Sequence, residues 1–99
     1  MDGFDRKIDL TDLELKKKKL RLNACRRGLL EAELLLCAFA RQELDQMTLA
    51  QLEDFERLLE MEDLDFWEMI CGRRPIPPGL SKEMVDRLRG RLPARTKGA

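Results

Sequence analysis

The sequence contains no histidine and no tyrosine. Without histidine there is no Ser-His or Cys-His pair for nucleophilic catalysis and no imidazole to bind a metal. The three cysteines, Cys25, Cys37 and Cys71, are odd in number and include no CxxC pair. Neither a disulfide framework nor a zinc site is expected from them, and Cys37, which lies inside an apolar run, is predicted to be a buried thiol. These absences argue against an enzyme and against a bound metal.

Long apolar segments are missing as well. The longest run, residues 34–40, is far shorter than the roughly 20 residues needed to cross a bilayer. The first five residues do not show the basic-then-apolar order of a signal peptide. We therefore expect a protein that is not embedded in a membrane and that is located in the cytoplasm. Its 99 residues suit one small domain.

Charge is balanced in total but segregated along the chain, with 19 basic and 19 acidic residues. Residues 12–27 are mainly basic, residues 42–69 mainly acidic and residues 70–99 mainly basic again. This order predicts either surfaces for partners or attraction between the chain's own segments. The run Lys16–Lys19 and the C-terminal arginines leave a second function open, that of a small basic helical protein that binds nucleic acid or acts as a regulator. No aromatic residues interleave with the lysines, which single-strand binding normally requires.

Capping signals and hydrophobic periodicity predict an all-α fold, a compact bundle of five short helices without strands. The first helix is predicted to begin with a capping box of Thr11 and Glu14 and to reach about Leu22, after a loose leader over residues 1–10. Residues 29–43 are apolar nearly all round, which predicts the central helix.

The second half of the chain predicts three further helices. Thr48 caps the third helix and Asp65 starts a short fourth one. Prolines between residues 74 and 79 predict an extended connector. Ser81 caps the fifth helix, and residues 94–99 are predicted to be a disordered basic tail.

One stretch stands out chemically. Arg26-Arg27-Gly28-Leu29-Leu30-Glu31 places two guanidinium groups, a glycine and a carboxylate at the start of the apolar run. Two local structures remain open: Asn23 caps a new helix with Gly28 in its second turn, or the first helix runs on and breaks at Gly28. If Arg27 and Glu31 are both helical they lie one turn apart, and Glu31 is then placed to hold the Arg27 side chain.

The segment Arg27-Gly28-x-x-Glu31 resembles the RGxxE signature of the small assembly factors for the flavoprotein subunit of succinate dehydrogenase and fumarate reductase. The likeness covers about residues 20–74 and includes the spacing from Phe55 to Trp67. It implies a helical bundle that is not an enzyme and that promotes covalent attachment of FAD to a histidine of the partner flavoprotein. The chain itself is expected to bind no cofactor, since it has no GxGxxG following a strand.

Carried over by position, the resemblance implies a partner-binding patch on this chain, which is expected to be a monomer. The patch comprises Arg27, Gly28 and Glu31, with Arg26 and the acidic residues Glu62, Asp63 and Asp65 as extensions. We expect Gly28 to leave a notch for the partner's backbone and Arg27 to contact a carboxylate or carbonyl of the partner. The lysine run, the proline-rich connector and the arginine-rich final helix are less typical of the family.

Overall fold

The computed structural model describes the backbone of residues 2–92 and the side chains of residues 12–92. Five α-helices follow one another, α1 (Asp2–Ala24), α2 (Leu30–Glu43), α3 (Leu49–Leu59), α4 (Asp63–Ile70) and α5 (Lys82–Arg89), and a short 3-10 helix (Leu44–Gln46) follows α2. No strand occurs within residues 2–92. The predicted all-α class with five helices is confirmed.

The start of α1 differs from the prediction. The helix begins at Asp2, so residues 2–10 are helical rather than a loose leader, and Thr11 lies inside the helix instead of capping it. From Phe4 to Ala24 the sequence contains neither glycine nor proline, so nothing in it forces the helix to start at Thr11.

The later caps behave as expected, with small shifts of boundary. The Thr48 hydroxyl accepts from the Gln51 amide at 3.2 Å, and the Gln51 side chain accepts from the Thr48 amide at 2.9 Å. The Ser81 hydroxyl accepts from the Met84 amide at 3.1 Å. Helix α4 starts at Asp63, so Asp65 lies in its first turn rather than at its start. The predicted tail at residues 94–99 lies outside the described residues.

Helix α2 contributes to the centre of the core but has two apolar sides. Its inner side buries Leu36 and Phe39 almost completely, and the Phe39 ring packs against Phe55 with ring centroids 5.5 Å apart. On its outer side Leu30 is 65% exposed and Leu34 is 63% exposed. The sequence of α2 is apolar on nearly all sides, as predicted, but only its inner side packs against the rest of the chain.

Several oppositely charged segments bind each other. On the α1 side, the Lys16 ammonium pairs with Glu56 of α3 at 2.8 Å, and Arg21 pairs with Asp45 at 3.0 Å. The largely buried Lys17 donates to the carbonyl of Asp45 at 3.1 Å. A substantial part of the basic N-terminal segment thus binds the acidic middle of the same chain.

The cysteines depart from the prediction. Cys25 and Cys37 form a disulfide, with Cα atoms 4.5 Å apart, so Cys37 is not a free buried thiol. The chain reverses direction between α1 and α2, and this reversal brings two residues that are 12 apart in sequence into contact. Cys71 is a free, buried thiol. None of the helices described within residues 2–92 is both long and apolar enough to cross a membrane.

The two sides of α2 give a matched pair of variants. Phe39→Ala removes a fully buried ring and is expected to lower the free energy of unfolding by about 3–5 kcal/mol. Leu34→Ala, on the exposed side of the same helix, is expected to change it by less than about 0.5 kcal/mol. Urea unfolding followed by circular dichroism measures both, and equal losses would contradict this description of the core.

Candidate functional site

The Arg26–Glu31 stretch forms a loop followed by the first turn of α2. Helix α1 ends at Ala24 and α2 begins at Leu30, so Arg27 and Gly28 belong to neither helix. Both alternatives drawn from the sequence are therefore wrong: Asn23 lies in the last turn of α1, and Gly28 precedes α2. Because the loop is not helical, Arg27 and Glu31 are not successive members of one helical face.

The Arg27 side chain is directed inward, with 8% of it exposed. Its Nε donates to Asp63 Oδ1 at 2.7 Å and its Nη1 to Asn23 Oδ1 at 2.6 Å. Its Nη2 donates to the carbonyls of Leu59 and Met61 at 3.0 and 3.1 Å. Arg27 thus ties the end of α1 to the end of α3 and the start of α4. Its partner is Asp63, not Glu31 as expected.

Asp63 binds both residues at the centre of the motif. One carboxylate oxygen accepts from the Arg27 side chain, and the other accepts from the Gly28 amide at 2.5 Å. Burial acts to raise the pKa of Asp63, but the hydrogen bonds from Arg27 and Gly28 outweigh it, so the pKa lies below its ordinary value. Asp63 is therefore held as a carboxylate that fixes the loop.

Two further contacts define the loop. The Arg27 amide donates to Glu33 Oε1 at 2.9 Å, which ties the loop to the first turn of α2. At Gly28, an added Cβ would lie 3.2 Å from the Asp63 carboxylate. The absence of a side chain there lets the backbone approach Asp63, and the notch for a partner's backbone stays a prediction.

A mainly apolar groove lies beside this buried cluster. Glu31 is exposed at the edge of this open groove of about 350 Å³. The groove is lined by residues of α2, α4 and the segment after α5, namely Glu31, Leu34, Leu35, Ala38, Trp67, Arg91 and Leu92. Leu64, one turn before Trp67 in α4, is 62% exposed. We call the exposed surface of Gly28, Leu30, Glu31, Leu34 and Trp67 the α2 face.

The remaining predicted residues are distributed as follows. Arg26 and Glu62 are exposed, and neither makes a side-chain hydrogen bond to the Arg27–Asp63 cluster. Asp65 pairs with Arg74 of the connector at 3.2 Å. The structure thus joins Arg27, Gly28 and Asp63 and leaves the others around them.

Sequence reasoning did not find the groove. Leu30 and Leu34 belong to the apolar run and look like core residues until the inner side of α2 is known. Asn23 and Glu33 both bind Arg27, and nothing local in the sequence indicates these contacts.

The acidic partner of Arg27 gives a second prediction. Asp63→Asn leaves the Arg27 charge without its counter-ion at a site where the guanidinium is mostly buried. We expect a loss of about 1.5–3 kcal/mol in the free energy of unfolding. Asp65→Asn, on the same helix but in an exposed pair with Arg74, is the control, with an expected loss below about 1 kcal/mol. Equal losses in urea unfolding would refute the assigned role of Asp63.

A third prediction concerns acid. Because the pKa of Asp63 is lower in the folded chain than in the unfolded chain, its carboxylate contributes stability above the unfolded value of about 3.9. That contribution is lost as the pH falls through the lower folded value. The difference in stability between the parent and Asp63→Asn is therefore expected to stay constant from neutral pH to about pH 4.5 and to shrink below it. A difference that already disappears near neutral pH would contradict a lowered pKa.

Comparison with known proteins places the chain in a family. A family model described as a flavinator of succinate dehydrogenase matches residues 18–92. The FAD assembly factor SdhE of Acetobacter pasteurianus is 31% identical over 77 residues, covering 78% of this chain and 71% of that protein.

Mitochondrial proteins are similar too. Succinate dehydrogenase assembly factor 2 of Mycosarcoma maydis is 37% identical over 86 residues, covering 85% of this chain and 36% of its own length. The protein of the same name from Danio rerio is 33% identical over 79 residues, covering 78% of this chain and 50% of its own length. This chain therefore spans half or less of these two mitochondrial relatives. No solved structure gives a significant match. By the extent of the family match and these identities, the chain belongs to the succinate dehydrogenase flavinator family.

Proposed function

We propose that this chain is a monomeric, cytoplasmic assembly factor that binds the flavoprotein subunit of succinate dehydrogenase and promotes covalent attachment of FAD to it. The flavoprotein subunit of fumarate reductase is included as a second client. FAD is attached to the partner, and the chain contributes binding surface rather than a cofactor or a reacting group. The family match and the name of the bacterial relative support this function.

The observation that carries the proposal is the fixed loop beside an exposed apolar face. The Arg27–Asp63–Gly28 cluster holds the loop at the edge of the α2 face, where Leu30 and Leu34 are more than 60% exposed. Exposed apolar side chains next to a charged rim are typical of protein-binding surfaces. In this arrangement Glu31 and the leucines contact the client, whereas Arg27 supports the loop from within.

Such a factor acts by positioning. A rigid docking surface stabilises one conformation of the client, in which the histidine and the flavin are held close enough to react. Residues of the client carry out bond formation. The residues on this chain that matter most are then those that shape the surface, which makes loop geometry as important as surface chemistry.

Nucleic-acid binding is less well supported. Lys16, Lys17 and Arg21 bind acidic or carbonyl groups of the same chain, which leaves Lys18 and Lys19 as the exposed part of the lysine run. Within the described residues Arg87 and Arg91 also pair with Glu43, so the two exposed lysines of the run give a weak electrostatic footprint for a polyanion. We therefore expect that the chain is not retained on nucleic acid at moderate salt.

Co-expression with the flavoprotein subunit gives the test, with covalent FAD scored by in-gel fluorescence. Leu34→Ala removes an exposed apolar contact while keeping the fold. It is expected to weaken binding of the client about tenfold and so to lower the amount of covalent FAD. Gly28→Ala is expected to reduce stimulation as well, because its Cβ crowds the Asp63 carboxylate. Circular dichroism confirms that each variant is folded.

The matched control is Leu49→Ala. Leu49 is 56% exposed but lies on α3, beside Lys16 and Leu13 rather than on the α2 face. It should stimulate flavinylation as well as the parent. If Leu34→Ala and Gly28→Ala also match the parent, the α2 face is not the docking surface. If the parent gives no stimulation of either client, the proposed function itself is wrong.

A further inference from the structure

The disulfide encloses the docking loop. Cys25 is the first residue after α1 and Cys37 lies in the middle of α2. The covalent ring that they close therefore contains Gly28, Glu31 and Leu34, which form most of the proposed docking surface. No other covalent link crosses the described chain, because the remaining cysteine, Cys71, is free and buried. Forming or breaking this disulfide therefore affects the docking loop more than it affects any other part of the molecule.

Cys25 and Cys37 are only partly buried, whereas Cys71 is buried and 6% exposed. Thiol–disulfide exchange requires a thiolate to reach a disulfide sulfur, so access decides which cysteines react. Cys25 and Cys37 are the partly exposed cysteines, whereas Cys71 is buried. The two cysteines therefore lie close together, which favours formation of the disulfide, and they are partly exposed, which favours its reduction by a thiol.

Besides the disulfide, the Arg27–Asp63–Gly28 cluster orders the middle of the loop, and the Cys25 amide donates to the carbonyls of Arg21 and Leu22 at the end of α1. Leu29, which precedes α2, makes no side-chain cap. The Arg27 and Gly28 amides bind Glu33 and Asp63, which fix the middle of the loop. The disulfide adds the covalent link between Cys25 and α2. Removing the bond frees one side of the loop while the Asp63 side stays attached, so reduction loosens the loop without unfolding the domain.

We propose that Cys25 and Cys37 form a reversible dithiol–disulfide site that exchanges with glutathione and sets the order of the docking loop. The effect on flavoprotein binding rests on the proposed function, but the site itself does not. In the oxidised chain the loop is preorganised and docking is favoured, because a cross-link removes conformations that binding would otherwise have to exclude. In the reducing cytoplasm the reduced form is favoured, so docking is strengthened only when the glutathione pool becomes more oxidised.

The exchange is balanced with oxidised glutathione as the electron acceptor. A thiolate of the pair attacks the disulfide of oxidised glutathione, forms a mixed disulfide and releases one glutathione thiolate. The second cysteine thiolate then attacks the mixed disulfide, forms the Cys25–Cys37 bond and releases the second glutathione. Two electrons pass from the cysteines to glutathione, and the two cysteine protons end on the two released thiols.

A redox titration of the isolated chain tests the site. The Cys71→Ala protein is equilibrated in mixtures of reduced and oxidised glutathione, and free thiols are then labelled with a maleimide-linked polyethylene glycol and counted by gel mobility. We expect labelling to pass from both cysteines to neither as the oxidised fraction rises, in one two-electron transition. Two labelled cysteines at every ratio, or none at any ratio, would overturn the proposal.

Order in the loop is measured on the same samples. Reduction should lower the melting temperature by about 10 °C, as expected when a short ring opens in a small domain. It should also speed hydrogen exchange in residues 25–36 more than in α3. The double variant Cys25→Ser/Cys37→Ser should give one melting temperature in both buffers. Equal exchange of the loop in the oxidised and reduced forms would refute its control by the disulfide.

Binding of the flavoprotein subunit completes the test. We expect the reduced chain to bind about three- to tenfold more weakly than the oxidised chain, and the double serine variant to match the reduced chain in either buffer. Equal binding by both forms would refute the effect on docking. Absence of binding by both forms would count against the proposed function, while the titration and hydrogen exchange would still decide on the redox site.

Discussion

Enclosing an arginine in a small domain costs free energy unless its charge and its donors are all satisfied. Arg27 comes close to that condition, because four of its five N–H groups donate to the ends of α1 and α3 and the start of α4, and its ion pair with Asp63 has an Nε–Oδ1 distance of 2.7 Å. The segments that meet there, the end of α1 and the turn between α3 and α4, are held together by this one side chain.

Much of the fold follows from local rules. The Thr48 capping box, the Ser81 cap and the periodicity that predicted α3 and α5 depend on residues within one or two turns, so a single sequence is enough to find them. The start of α1 was misplaced because Thr11 has the features of a cap but nothing before it breaks a helix. A capping residue shows where a helix is able to begin, and only a breaker shows that it cannot begin earlier.

The site was harder to predict than the fold because its contacts are distant in sequence. Arg27, Gly28 and Asp63 were all named from a family resemblance, yet Asp63 is 36 residues from Arg27 and nothing local joins them. The sequence favoured Glu31 as the partner since it lies four residues away. The Cys25–Cys37 bond was missed for a similar reason, because the chain reversal that creates it depends on the packing of α1 against α2.

The composition that opened the sequence analysis has a practical side. The chain has a single tryptophan and no tyrosine. That tryptophan, Trp67, is half-buried in the wall of the groove next to Leu34. Its indole is therefore the only efficient near-ultraviolet fluorophore of the chain, and its emission depends on the polarity of the groove. Trp67 lies at the surface where a client is proposed to bind. A client that excludes water from the groove therefore changes the Trp67 emission, and this change can be measured without an attached dye.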